Sequence, residues 1–383
     1  MVKAVRAGMS MRETARAFGF GKSTVELWVG RAQGRGLDRI DYADRKPGRA
    51  WNRIGSNVEQ QIAELRRALR DESILGEYGA RAIQGALKAE MADAPSEATI
   101  NRVLSRRGLQ DAVRRIRRPA PPQGWYLPEV VAGRAELDCF DFIEDLKIAD
   151  GPLVDALTAK SLHGKLTDAW MMAQKSAKRT APCLRRRWKC DGLPAYAQFD
   201  NDTVFQGAHQ FPNAVGRISR LCLQLEVIPV FVPPLEHGMQ NTIESFNGLW
   251  QAKVWRRHRV GSVHELQRRS DEYNAARRLR TQAAAEAAPR RRSMPKRFKL
   301  NLHAPLRGLM IFIRRTDETG HVHLLGQRFA VSPTWPHRLV RCEVDFDHHC
   351  IRCFALRRNA PTEQRLLITI PYHPTHKPFQ GEL

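Results

Sequence analysis

Tyr196-Ala-Gln-Phe-Asp200-Asn-Asp-Thr-Val-Phe205 reads as a short strand that breaks on a carboxylate. Ala195–Phe199 is apolar and aromatic, Asp200 ends it, and Asn201-Asp-Thr forms a polar turn. A carboxylate at that position is held by the sheet rather than by a loop. Upstream, Leu137–Ile148 and Leu153–Ala159 read as strands and Thr180–Cys190 as a helix. Downstream, Gly216–Leu225 reads as a helix, Val227–Val232 as a buried strand and Met239–Arg257 as a long helix. Strands alternating with helices predict an α/β sheet domain across residues 130–260.

Two further acids fall where such a domain exposes chemistry. Asp141 lies within the first strand, in Phe140-Asp-Phe-Ile-Glu-Asp-Leu-Lys-Ile-Ala-Asp-Gly151. Glu244 lies on the long helix, in Asn241-Thr-Ile-Glu-Ser-Phe-Asn-Gly-Leu-Trp250. A packed helix can aim a carboxylate back at a strand end. Three converging carboxylates repel unless cations intervene, and Mg2+ prefers oxygen donors while leaving positions for water and phosphate. Two such ions would activate the attacking oxygen and stabilise the leaving one in a phosphodiester displacement.

Taken together, these stretches resemble the DDE transposase and retroviral-type integrase catalytic core, an RNase H-like fold. Residues 196–205 are similar to the family's second-acid signature, Asp-Asn-Gly-x-x-Phe. Residues 241–250 resemble the helix bearing its third acid, and residues 141–151 its first strand and turn. The resemblance implies Asp141, Asp200 and Glu244 as catalytic metal ligands for Mg2+, or Mn2+ in its place. It implies 3′-end cleavage and strand transfer of element DNA, performed by a homo-oligomer on DNA, as in a bacterial insertion-sequence transposase. Departures are visible. Asp202 stands where the family has glycine, and Gln251 where it commonly has a basic residue, with Lys253 two positions on. Asp200 and Glu244 enclose 43 residues, whereas Glu236 would restore the family's more usual 35. Asp138 rivals Asp141 on the same strand. The competing function is a sequence-specific DNA-binding protein of transposase origin that has lost its chemistry.

The flanks bear on both readings. The chain has 383 residues with 63 Lys and Arg against 40 Asp and Glu, a net charge of +23. Residues 1–128 carry +10, residues 129–255 carry −1 and residues 256–383 carry +14. Basic flanks of this size favour a polyanion, because cations that neutralise phosphates release condensed counterions. Ser10–Trp28 reads as two helices joined at Gly19, with Ala15 at the crossing and Val25 and Trp28 inward-facing. That spacing resembles a helix-turn-helix over residues 1–33. Lys22, Ser23, Thr24 and Arg31 are its candidate DNA contacts. Residues 52–118 read as a second such unit, with a plain three-helix bundle as the alternative. Arg102, Arg106, Arg107, Arg114 and Arg115 are the DNA contacts expected there.

Residues 261–300 read as a helical, basic connector, and residues 305–383 as short strands suggesting a small β-barrel. Apolar runs such as Val227–Pro234 fall far short of the ~20 residues a spanning helix needs. The N-terminal residues lack an apolar signal core, and seven scattered cysteines argue for a reducing compartment, so a cytoplasmic, nucleoid-associated protein is expected. Cys350 and Cys353 beside His348 and His349 imitate a zinc site. On a strand, however, positions 350 and 353 face opposite sides.

Overall fold

The computed structural model describes residues 1–37, 54–111, 123–149, 151–208, 211–233, 236, 238–358, 360–374 and 379. Arg114 and Arg115 lie outside the described residues. The chain divides into two compact units, Met1–Gln61 and Ile62–Leu383.

The first unit contains α1 (Val2–Arg6), α2 (Met11–Phe18), α3 (Lys22–Arg31) and the start of α4 (Ser56–Glu72). A reciprocal capping box starts α2: Ser10 Oγ accepts from Glu13 N, and Glu13 accepts from Ser10 N at 3.0 Å. Gly19 ends it at φ 70°, a left-handed conformation that most side chains resist. Ala15 and Val25 are buried as expected, but Trp28 is only half-buried, with the Arg31 guanidinium 5.2 Å from its ring centroid. Arg6 closes the unit by donating to the Arg35 carbonyl at 2.6 Å.

In the second unit, the rest of α4 is followed by α5 (Ala80–Glu90) and α6 (Glu97–Arg106). Ile62, Ile83, Leu87, Ile100, Val103 and Leu104 are among their buried residues. Then come α7 (Pro128–Val131), β1 (Leu137–Lys147), β2 (Leu153–Ser161), β3 (Thr167–Met172), α8 (Ala177–Asp191) and β4 (Tyr196–Phe199). The chain continues through α9 (Thr203–Gln206), α10 (Arg217–Gln224), β5 (Ile228–Phe231) and α11 (Asn241–Trp250). A π-helical turn (Gln251–Trp255), α12 (Val263–Arg280) and α13 (Gln282–Glu286) follow. The last elements are β6 (Leu309–Arg315), β7 (His321–Leu324), β8 (Gln327–Ala330), β9 (Leu339–Asp345), β10 (Cys350–Ala355) and β11 (Leu366–Pro371).

Nine strands form one mixed sheet in the order β11-β10-β9-β6-β5-β4-β1-β2-β3. Its centre, β1-β4-β5-β6, is parallel, and both margins are antiparallel. One face buries a row of rings, one per central strand. Phe140–Phe199, Phe199–Phe231 and Phe231–Phe312 have centroids 5.4, 5.9 and 5.2 Å apart, close to the strand spacing itself. On that face lie Leu184 and Trp188 of α8 and Ile218 and Leu221 of α10. The opposite face packs Leu137, Cys139, Ile143, Val230 and Ile311 against Ile243, Phe246 and Trp250 of α11 and Leu266 of α12.

The expected C-terminal barrel is not what forms: no closed barrel is present among the described residues. Strands β6, β9, β10 and β11 extend the central sheet, while β7 and β8 make a separate hairpin. The reason lies in burial. The apolar–polar alternation of Val340–Phe346 implied one wet face, yet Arg341 is buried, with its guanidinium 4.6 Å from the Phe354 ring centroid. Glu343 in turn pairs with Arg341 at 3.3 Å and Arg352 at 3.4 Å. Both faces are covered, as in an interior strand.

Asp138 anchors the ring-lined face. It is fully buried; Arg187 Nε donates to it at 3.0 Å, Arg291 Nη2 at 2.5 Å and Trp188 Nε1 at 3.3 Å. These guanidinium charges outweigh burial and hold its carboxyl far below the usual range. Asp138→Asn should leave the largely buried Arg291 without its carboxylate and Arg187 with only Asp168 and Asp191, and cost about 3–5 kcal/mol. Urea unfolding checks this, and a loss below about 1 kcal/mol, the level of a surface pair, would refute the anchoring role.

Candidate carboxylate site

Strand alternation separates Asp138 from Asp141. Asp138 shares its face with Phe140, whereas Asp141 shares the α11 face with Cys139 and Ile143. The parallel register of β1 on β4 pairs Leu137 with Tyr196, Asp138 with Ala197 and Cys139 with Gln198. Continued by two residues, that register brings Asp141 level with Asp200 on the neighbouring strand. Glu244 is placed by α11, whose Ile243, Phe246 and Trp250 are fully buried against this face.

Asp141 is gripped from two sides. Its Oδ1 accepts from Phe142 N at 2.9 Å, and its Oδ2 accepts from Asn247 Nδ2 at 2.8 Å. Thr158 Oγ1 donates to Asn247 Oδ1 at 2.7 Å, which fixes that amide's orientation. Burial, then the Asp200 charge and more weakly that of Glu244, push the Asp141 carboxyl up to about 7. Asp200 accepts from Asp202 N at 3.0 Å; burial and the Asp202 charge raise its carboxyl against that bond and the pull of Lys175. Glu244 stands exposed in the first turn of α11.

Asp202, which replaces the expected glycine, has a local task. Its Oδ1 accepts from Val204 N at 2.8 Å, and its Oδ2 accepts from Lys175 Nζ at 2.5 Å. Lys175 also donates to Glu144 Oε1 at 2.8 Å, and these two acids raise its ammonium above the usual range despite burial. Asn201 ties the turn down, donating to the Val232 carbonyl at 2.7 Å and accepting from Arg314 at 2.9 Å.

Among the described residues, no group of three or more His, Cys, Asp or Glu side chains is placed to hold a metal ion as it stands. Asp141, Asp200 and Glu244 share an electrostatic field without forming a closed coordination shell. Their chemistry nevertheless suits a hard cation: all donors are carboxylate oxygens, and the mutual repulsion at Asp141 is what a divalent ion would relieve.

The rival third acid, Glu236, is committed elsewhere, to Arg315 and, at 3.3 Å, to Arg358. Lys253 donates to the Gly76 carbonyl at 2.8 Å, and Arg257 to those of Arg70 and Asp71 at 3.0 and 2.9 Å. These bonds fasten the π-helical turn behind Glu244 to the end of α4. Cys353 is buried with its Sγ 3.5 Å from that of Cys342, and the His163 ring bonds the Val130 carbonyl at 3.0 Å.

Of the expected DNA contacts, Lys22 is exposed and paired with Glu26 at 3.0 Å. Ser23 is exposed and Thr24 half-buried, both in the first turn of α3. Arg102, Arg106 and Arg107 are exposed on and just past α6. Sequence reasoning missed Asn247, Thr158 and Lys175. Asn247 carried a usable signal, lying three residues after Glu244 on one helix face; Lys175 carried none.

No family model matches this chain, and no curated protein matches it. Among solved structures, one described as the simian T-cell lymphotropic virus intasome in complex with PP2A regulatory subunit B56 gamma superposes with a TM-score of 0.32 and 10% identity. The superposition covers 68% of this chain and 87% of that one.

The raised Asp141 carboxyl has a stability consequence. The folded chain holds this proton more tightly than the unfolded chain. Its contribution is therefore complete below the ordinary carboxylate range and is lost as pH rises through about 7. In chelator at pH 8, Asp141→Asn should be more stable than the parent by up to a few kcal/mol, with the gain vanishing near pH 4. Thermal unfolding across pH measures it; a variant destabilised at pH 8 would contradict the repulsion.

Proposed function

We propose that this chain is a DNA transposase or integrase, a metal-dependent polynucleotidyl transferase acting through Asp141, Asp200 and Glu244. The observation that carries the reading is the level placement of Asp141 and Asp200 on one face beneath α11, with Glu244 near enough to raise Asp141. These three side chains would hold Mg2+. Bound there, divalent ions supply Lewis acidity that activates an attacking oxygen and stabilises a leaving one during in-line phosphodiester displacement. Asn247 keeps Asp141 in a fixed rotamer, and Asn201 and Lys175 hold the turn that carries Asp200. The exposed first turn of α3 and the arginines of α6 would read element DNA, with a homo-oligomer assembled on the two ends.

A second reading is a DNA-binding descendant without chemistry. The absence of a ready three-ligand group among the described residues favours it.

Asp200→Asn separates the two. On a supercoiled plasmid carrying the sequences that flank the coding region, the parent should nick and join strands in Mg2+ or Mn2+. The variant should lose this by at least about a hundredfold, as expected for removal of charge stabilisation at a reacting centre, while retaining DNA affinity. Mg2+ should also raise the unfolding temperature of the parent and not of the variant. Equal cleavage by the two proteins would overturn the assignment, and cleavage by neither would favour the second reading.

A further inference from the structure

Trp335 carries two arginines whose guanidiniums meet no acceptor among the described residues. The indole is buried, and its Nε1 donates to the Leu339 carbonyl at 3.2 Å. The Arg338 guanidinium lies 4.7 Å from the ring centroid and that of Arg357 lies 5.3 Å away. Both side chains are exposed, and neither guanidinium makes a hydrogen bond or ion pair among the described residues. Across from them, Arg315 Nε donates to Glu236 Oε1 at 2.7 Å, and Arg358 Nη2 donates to Glu236 Oε2 at 3.3 Å. Together these residues line an open groove of about 570 Å³.

Four guanidiniums thus surround one carboxylate. Stacking on an indole restricts a long side chain that would otherwise sample many rotamers, and it leaves the planar N–H fork pointing outward. Such forks match the paired oxygens of a phosphate better than any neutral ligand.

The groove's position adds to this. Leu339 and Leu356, at its base, belong to the core on the α11 face. Register brings Val230 level with Ile311 and Phe231 level with Phe312, so Arg315 projects from β6 beyond the carboxylate end of the parallel strands. From β4 to β6 is two strand spacings, about 10 Å. Arg315 and Asp200 therefore lie at the same end of the sheet.

We infer that this groove holds the phosphodiester backbone of a DNA strand on its way to the carboxylate face. The class of partner rests on the function proposed above; the anion-binding character of the groove does not.

Fluorescence anisotropy with a labelled mixed-sequence DNA duplex, titrated at several salt concentrations, tests it. Arg338→Gln combined with Arg357→Gln should lower the slope of log affinity against log salt by about 2, since each lost phosphate contact removes about 0.9. Arg186→Gln combined with Lys189→Gln removes equal charge from α8 and should leave that slope unchanged. An unchanged slope in the groove variant, or an equal fall in both, would overturn the proposal. So would a polyglutamate peptide whose binding depends on the same two arginines with the same slope, which would assign the groove to an acidic protein. Plasmid nicking by the parent is scored separately. A groove effect without any nicking would sink the enzymatic reading alone, and nicking without a groove effect would sink this inference alone.

Discussion

The row of stacked rings across β1, β4, β5 and β6 is the constraint on which the rest depends. A parallel pair can slide by two residues and keep its faces, so side-chain alternation alone does not choose a register. Phe140 against Phe199 does choose one, and each such contact adds about 0.5–1.5 kcal/mol beyond the area it buries. Because the next residues along the two strands are Asp141 and Asp200, the register that stacks the rings also sets the carboxylates side by side on the other face. A hydrophobic fit on one side of the sheet thereby forces an electrostatic conflict on the other.

The two faces answer that conflict differently. Asp138 and Asp141 are three residues apart on one strand, yet one is surrounded by guanidiniums and lies far below the usual carboxylate range, while the other is pushed up to about 7. Only the first is internally compensated. Arg187 and Arg291 pair with Asp138, whereas the hydrogen-bond partners of the Asp141 carboxylate among the described residues are the neutral Phe142 amide and Asn247. Lys175 lowers Asp200 through its charge, while its own hydrogen bonds go to Asp202 and Glu144.

Much of this was legible in the residues. The helix pair around Gly19, the strands at Leu137 and Leu153, and the carboxylate ending the Ala195–Phe199 strand all follow from period and punctuation. Strand β3 escaped because Thr167-Asp-Ala-Trp-Met-Met lacks a clear alternation, and its identity comes from pairing with β2. The barrel expectation failed because Arg341 and Glu343 look solvated in sequence but are stacked or paired beneath neighbours. Between Glu236 and Glu244 the sequence already favours the second, because a helical pattern surrounds it while Pro233-Pro-Leu-Glu236 reads as loop; the pairing of Glu236 with Arg315 and Arg358 had no signal in the spacing.

The central claim is that a cation completes the carboxylate face. A crystal soaked in Mn2+ and recorded at the manganese absorption edge tests it most directly. The account predicts an anomalous peak with oxygens of Asp141, Asp200 and Glu244 about 2.0–2.2 Å from it, near the distances hard divalent ions adopt. Manganese bound elsewhere, with these oxygens left apart and bare, would contradict it.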